Sequence, residues 1–361
     1  MLLLIFTLIV SAFATCPQVG DGSVFAVVPE EPGYPEAIVI DRGHVYVTTP
    51  SRFGTAGTGP SQIYVYNQGN GNLEEQITVQ GEALEAEHAL SGLAVDSQGH
   101  LYAIAVGSTN FGILKFSKAG NTWTQETYAT AWPSLGLPLP DGSGTIPPLP
   151  NSMAFDEDGN LLVSDSLQAL IWKVPAGGGV PEVWYGPNME LAPLGASQLG
   201  ANGLRFSPDR EWVYLAYTGG DATSEFEIPS PGKIFRIPYV DTPSMSDLQT
   251  VWTYDVGAYA DEIAFTRRGD LYVTLAGHNA VSVLDIEDPE AATLEVAERY
   301  RISGPNGSSI PFAQPAGLAF HHRRLFVVNH ALWTAPTDGL FSVLEVVVED
   351  QGDHEEHPFV P

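Results

Sequence analysis

One pattern recurs six times along the 361-residue chain and limits the folds open to it. Each copy contains a short apolar strand, a tight polar turn and a second strand in which apolar residues alternate with others. Copies start 51 to 60 residues apart, at Glu36, Ser91, Asn151, Asn202, Asp261 and Ala316. A third apolar strand follows in each repeat, for example at 63–66 and 113–116. Repeats of this length with hairpin turns are typical of β-propeller blades.

The repeats predict an all-β fold, a six-bladed β-propeller with four-stranded antiparallel blades around a central channel. A single blade cannot bury both faces of its sheet, so neighbouring blades must close into a ring. Residues 24–28 precede the first repeat, and we expect them to add the outer strand of the last blade. One propeller domain is predicted over residues 15–348, followed by an acidic C-terminal tail, 349–361, in contact with solvent.

The N-terminus, residues 1–14, has the pattern of a secretory signal peptide. An apolar run at 2–10 is too short to span a bilayer, and Ala12-Phe13-Ala14 fits a small-x-small cleavage site. A buried N-terminal element, or a lipid anchor on Cys16, is the alternative. No later segment contains 18 consecutive apolar residues, so we expect no membrane span. The mature protein is predicted to be secreted, in the periplasm or outside the cell.

Charge and cysteine content exclude several classes of function. The chain has 15 Lys and Arg against 43 Asp and Glu, a net charge of −28. Such a surface repels phosphate backbones, so nucleic-acid binding is excluded. The single cysteine, Cys16, excludes an intramolecular disulfide framework and zinc sites built on several thiolates. We expect a monomer that binds a small molecule.

The first residues of the six repeats form a register column. Because the first strand of each blade lines the channel of a propeller, these residues should converge near the axis. Four of them carry a carboxylate or a carboxamide: Glu36, Asn151, Asn202 and Asp261. Hard oxygen donors with two negative charges favour Ca²⁺. The other two, Ser91 and Ala316, are predicted to line the substrate pocket. The alternative is that strand entrances are polar only because loops end there.

At these residues the sequence resembles a known family. The segments Pro150-Asn151, Ala201–Asp209 and Asp261 leading into Leu271–Val273 are similar to the senescence-marker-protein/gluconolactonase (regucalcin-like) family, six-bladed propellers with NHL-type repeats. The resemblance covers roughly residues 20–347. It implies a calcium ion bound by Glu36, Asn151, Asn202 and Asp261. It also implies that Asp261 is either a ligand only, or both a ligand and a general base or nucleophile.

The function expected from this resemblance is calcium-dependent hydrolysis of a lactone or related ester. One alternative is a non-catalytic binding propeller that uses calcium for stability. Another is a biosynthetic propeller that cyclises a small molecule. Two histidines, His278 and His330, follow second strands and are further candidates for proton transfer. Related arylesterases of the paraoxonase type carry a histidine where this chain has Ser91, which argues against their mechanism.

Overall fold

The computed structural model describes residues 18–361 except 108–109, 131, 134, 136–144, 195–197, 222–228, 287–293, 304–310, 334–340, 354 and 356. The predicted signal peptide and Cys16 lie outside the described residues. None of the helices in the described ranges is long and apolar enough to cross a membrane.

Short strands with alternating apolar residues account for most of the described chain. In chain order they are β1 (Gly22–Val27), β2 (Ile38–Asp41), β3 (His44–Thr49), β4 (Gln62–Asn67), β5 (Leu73–Thr78), β6 (His88–Val95), β7 (Leu101–Gly107), β8 (Gly112–Ala119), β9 (Thr122–Ala129), β10 (Pro150–Phe155), β11 (Leu161–Asp165), β12 (Leu170–Val174), β13 (Glu182–Tyr185), β14 (Leu199–Phe206), β15 (Trp212–Gly219), β16 (Pro231–Pro238), β17 (Gln249–Val256), β18 (Ala260–Phe265), β19 (Leu271–Leu275), β20 (Ala280–Ile286), β21 (Val296–Ser303), β22 (Pro315–His321), β23 (Arg324–Asn329) and β24 (Ser342–Val347). Three single-turn 3₁₀ helices lie at Met189–Leu191, Met245–Asp247 and Ala276–His278.

These strands form six four-stranded antiparallel sheets, which confirms the predicted six-bladed propeller. Blades 1 to 5 each use four consecutive strands, beginning at β2, β6, β10, β14 and β18. Blade 6 has the order β1-β24-β23-β22, so the N-terminal strand supplies its outer edge as expected. Pairing of β1 with β24 therefore joins the first and last strands of the propeller and closes the ring.

The core lies between blades. Six apolar clusters are present in the described residues, and each combines side chains of two neighbouring blades. Between blades 2 and 3, for example, the fully buried Trp172 packs against Trp132 with ring centroids 5.5 Å apart. Each blade thus buries its faces only because the next one covers it.

The inner strand of each blade lies at the edge of its sheet opposite the outer strand, and in the six blades it is β2, β6, β10, β14, β18 or β22. A β-bulge recurs near the start of most of these strands, and it is the feature that positions the site. In blade 4, Ala201 pairs with Tyr217 and Leu204 pairs with Leu215, so two residues of β14 oppose one residue of β15. The same two-against-one count occurs in blades 2, 3, 5 and 6. In each case the first bulged residue is the column residue predicted from the sequence. A bulge bends the strand and re-aims its side chains.

The second bulged residue lies against the next blade. At Gly203 a Cβ atom would lie 2.4 Å from the backbone oxygen of Asp261, and at Gly317 it would lie 2.3 Å from that of Glu36. Contacts this close leave no room for a side chain. The backbone nitrogen of Gly317 also donates to the oxygen of Glu36 at 3.0 Å, which links the last blade to the first. Consecutive members of the column are therefore held side by side.

The prediction that the C-terminal tail is free in solvent was wrong. It crosses the end of the channel opposite the column, where the backbone of Asp353 donates to Phe265 at 2.8 Å. Nε of Arg205 lies 3.1 Å from Oε1 of Glu355, and Nε2 of Gln98 donates to the Val360 oxygen at 2.9 Å. Val360 itself is fully buried in the core between blades 2 and 3. Acidic composition indicated solvation, but basic side chains and an apolar slot hold the segment.

Replacing Val360 by alanine should lower the free energy of unfolding by about 2 kcal/mol, because it removes two buried methyl groups and leaves a cavity. Urea denaturation measures this loss. The neighbouring Phe359 is 68% exposed and is a matched control, since its change to alanine should alter stability by less than about 0.5 kcal/mol. Equal effects of the two changes would contradict docking of the tail.

Candidate functional site

The six column residues occupy equivalent positions at one end of the channel, which we call the mouth. Ser91, Asn151, Asn202, Asp261 and Ala316 are the first bulged residues of their inner strands. Glu36 lies two residues before the start of β2, and its backbone nitrogen donates to the backbone oxygen of Thr48 at 3.1 Å. The structure therefore places the predicted column at one level of the ring.

Both asparagine amides are fixed by bonds through their nitrogen atoms. Nδ2 of Asn202 donates to Oδ1 of Asp261 at 2.6 Å and to Oγ1 of Thr218 at 2.9 Å. Nδ2 of Asn151 donates to Oγ of Ser166 at 3.1 Å. Neither Oδ1 atom accepts a hydrogen bond from a described residue. The amide oxygens thus remain available as ligands.

His330 lies against Glu36 at the mouth. Its Nε2 is 2.6 Å from the backbone oxygen of Ser51, and because a carbonyl only accepts, Nε2 carries a hydrogen. Its Nδ1 is 3.1 Å from Oε2 of Glu36, a contact without the geometry of a hydrogen bond. Oε2 of Glu36 is buried, and it has no hydrogen-bond partner among the described residues. A buried, unsatisfied carboxylate oxygen costs free energy unless a cation or a proton satisfies it.

Two buried carboxyl groups share this region. Burial raises the pKa of Glu36 to about 8, and the charge of Glu262 adds to the effect. Burial raises the pKa of Asp261 well above its usual range; the charge of Glu36 raises it further, and His330 opposes the shift. Burial lowers the pKa of His330. The protein alone therefore disfavours two negative charges here, and a bound cation would favour them.

A second layer of polar side chains lies directly beneath the mouth, and sequence reasoning missed it. Oγ of Ser152 donates to Oε2 of Glu262 at 2.8 Å, and Nη1 of Arg205 is 3.3 Å from Oε1 of the same carboxylate. Ser152 and Glu262 are the second bulged residues of blades 3 and 5. The signal that could have found them is the acidic pair Asp261-Glu262. In a bulge two successive residues oppose one residue of the neighbouring strand, so both members of such a pair can face the channel region.

The remaining candidates have other surroundings. Oγ of Ser91 donates to the backbone oxygen of Pro150 at 3.2 Å, which ties blade 2 to blade 3, and Ala316 is 1% exposed. Nδ1 of His278 lies 3.0 Å from Nη1 of Arg301 on the outer strand β21. Within the described ranges no contact joins His278 to the column. The structure thus brings His330 to the mouth and leaves His278 outside it.

The chemistry of the donor set fits a hard cation. Among the described residues, no group of three or more His, Cys, Asp or Glu side chains is arranged to hold a metal ion. The predicted set contains two carboxylates and two amides, so amide oxygens would have to contribute as much as carboxylates. Calcium accepts such mixed oxygen ligands together with water. The unsatisfied Oε2 of Glu36 and the unused amide oxygens agree with this set.

Comparison with known proteins found similarity in structure only. No protein-family model and no curated protein sequence matches the chain. Solved structures that cover more than nine tenths of it include the following three. Regucalcin, a calcium-binding protein from Agrobacterium tumefaciens, is 14% identical with a TM-score of 0.57, covering 94% of this chain and 99% of its own. A PQQ-bound aldose sugar dehydrogenase from Streptomyces coelicolor is 14% identical with a TM-score of 0.58, covering 92% and 100%. A putative gluconolactonase is 12% identical with a TM-score of 0.53, covering 93% and 94%.

These neighbours differ in their named chemistry, so at such low identity the likeness establishes the fold and not the activity. Neighbours of the regucalcin and gluconolactonase type are those that the sequence motifs indicated. The chain is a six-bladed β-propeller with the fold of the regucalcin and gluconolactonase structures.

Proposed function

We propose that the mouth binds calcium through Glu36, Asn151, Asn202 and Asp261 and hydrolyses a lactone or a related ester. The observation that carries the proposal is the set of unused oxygens at one level of the ring, above all the buried Oε2 of Glu36. The likeness to a calcium-binding regucalcin and a putative gluconolactonase supports it. The leader sequence supports export of the mature protein, and the acidic surface favours a small-molecule substrate over a nucleic acid.

Calcium, when bound, would supply a Lewis acid for the carbonyl oxygen of the substrate. Asp261 is the group suited to accept a proton. Its Oδ1 is held by Asn202 at 2.6 Å, whereas its Oδ2 accepts no hydrogen bond from a described residue. Water would attack the carbonyl carbon while its proton passes to Oδ2. The ring carbon–oxygen bond then breaks, and the departing alkoxide oxygen takes that proton back.

His330 has a positioning role in this scheme. Its Nε2 donates to the backbone of Ser51, and its Nδ1 lies 3.1 Å from Oε2 of Glu36, so both nitrogens face protein groups. We therefore assign the ring to packing against the carboxylate of Glu36 and not to proton transfer.

Calcium should raise the melting temperature of the purified protein. An ion that binds only the folded state stabilises it by about 2.7 kcal/mol at a concentration one hundred times its dissociation constant. The measurement is thermal unfolding with a calcium chelator and with increasing calcium, next to a lactone panel followed by acid release. We expect a shift of several degrees and calcium-dependent release of acid.

Glu36→Gln is the matched variant for this test, because it keeps the shape of the side chain and removes its charge. It should lose most of the calcium-dependent shift while unfolding normally in chelator. An unchanged melting temperature at millimolar calcium, or an equal shift in this variant, would refute the metal site.

A further inference from the structure

Arg52 lies beside the mouth, and its guanidinium group has no polar partner among the described residues. It follows Ser51, whose backbone oxygen accepts the bond from His330. Nε of Arg52 is buried and unbonded, and no described residue forms a hydrogen bond or ion pair with its side chain. A buried donor without a partner lowers the stability of the fold, so we expect this group to bind a ligand that accepts a hydrogen bond.

The guanidinium group is fixed by an aromatic contact. Its Cζ lies 4.1 Å from the ring centroid of Tyr34. Tyr34 also meets the His330 ring edge-on at 6.4 Å, and its backbone oxygen accepts a hydrogen bond from the nitrogen of Ser51 at 2.9 Å. Stacking of this kind holds the plane of the group and leaves its N–H donors free around the edge. Arg52 is therefore preorganised next to the Glu36–His330 pair.

No described carboxylate forms an ion pair with Arg52, which is unexpected in so acidic a chain. Asp and Glu outnumber Lys and Arg by 43 to 15. Several other arginines pair with neighbouring carboxylates, as Arg301 does with Glu298 and Arg299 with Asp270. An acid supplied by a ligand would satisfy Arg52 in the same way. A monoanion suits this place better than a dianion, because the net charge of −28 repels a doubly charged group more strongly.

Two large apolar side chains near the mouth are exposed. Phe53, next to Arg52, is 77% exposed, and Trp333, three residues after His330, is 56% exposed. Trp333 packs on Tyr259 with centroids 4.9 Å apart, just before Asp261 in the chain. Large exposed apolar side chains at a channel mouth are typical of a ligand-binding surface.

We propose that Arg52 binds the carboxylate of a small organic acid whose apolar or aromatic body lies against this surface. The inference deepens the proposed function, on which it rests for the reaction, by specifying a lactone or ester that also carries a free carboxylate. A bidentate pair between the guanidinium group and the carboxylate would orient the substrate.

The test compares the binding of phenylacetate and phenylacetamide, two probes of the same shape that differ in charge. Titrations are followed by tryptophan fluorescence and calorimetry in the presence of chelator, so that calcium cannot hold the carboxylate. Wild-type protein should bind phenylacetate about tenfold to a hundredfold more tightly than the amide. Arg52→Met should bring the ratio close to one, and Arg52→Lys should retain only part of it.

Arg267→Met is the matched control. Arg267 is exposed at the opposite end of the channel, its side chain has no polar contact with a described residue, and its loss changes the net charge equally. This variant should keep the wild-type ratio. Equal binding of the two probes by wild type, a preference that survives in Arg52→Met, or no binding of either probe at millimolar concentration would overturn the inference. Since chelator is present and no turnover is measured, failure of the lactonase proposal would leave this result intact.

Discussion

Asp261→Asn should lower kcat for lactone hydrolysis by about a thousandfold, the usual contribution of a positioned general base. The amide has the size of the carboxylate but cannot take the proton of the attacking water. Because burial already raises the pKa of Asp261, the neutral amide should be tolerated by the fold. The measurement is steady-state turnover of the best lactone of the panel, with calcium binding and melting temperature determined on the same sample.

The control is Asp255→Asn, an equal change of charge at an exposed position of outer strand β17. It should leave kcat within about twofold of wild type. Turnover by Asp261→Asn within threefold of wild type would restrict that residue to ligand binding. A product isomeric with its substrate, formed without water, would instead favour the cyclisation alternative, and wild-type protein inert on every ester would favour a binding propeller.

The largest effect on stability is expected from Arg205→Met. Its side chain is 10% exposed, that of Glu262 is 13% exposed, and the two lie 3.3 Å apart. Removing the arginine leaves a buried carboxylate without its counter-charge, which typically costs 3–5 kcal/mol, so we expect about 4 kcal/mol at pH 7. Urea denaturation measures the loss.

The pH dependence of this loss has a definite sign. Burial raises the pKa of Glu262, and Arg205 opposes that rise. Without the arginine the folded-state pKa increases further, so the destabilisation should be present above it and shrink as the pH falls and the carboxyl group takes up a proton. The double variant Arg205→Met/Glu262→Gln should recover much of the stability at pH 7. A loss below about 1 kcal/mol in the single variant would contradict a buried pair.

Blade number and ring closure could be predicted because both depend on local periodicity. Alternation in segments such as His44–Thr49 identifies a strand, and six similar units that each need a covering neighbour predict a closed ring. The column could be aligned because every copy places its first residue two positions before a buried anchor, such as Leu204 or Ile263. The recurring bulge preserves that offset in the structure.

The features that the sequence did not predict depend on where side chains point and on contacts between blades. His278 and His330 both follow second strands, but His330 comes one residue after β23, whereas His278 ends a 3₁₀ turn three residues after β19. With this difference of two residues, His330 contacts Glu36, whereas His278 contacts Arg301. The layer of Ser152, Arg205 and Glu262 was missed because it joins three blades, and no local pattern reports such contacts.

The tail lies across the end of the channel that is opposite the mouth. Beneath the column the Ser152–Glu262–Arg205 layer spans blades 3 to 5, and beyond it a cavity of about 330 Å³ lies between the inner strands and the tail. The polar layer and the described part of the tail therefore lie between the column and the far end of the channel. The last residues end near the turn at Gly177 of blade 3, on the far side from the mouth. A protein immobilised through Pro361 would thus have its mouth facing the solution.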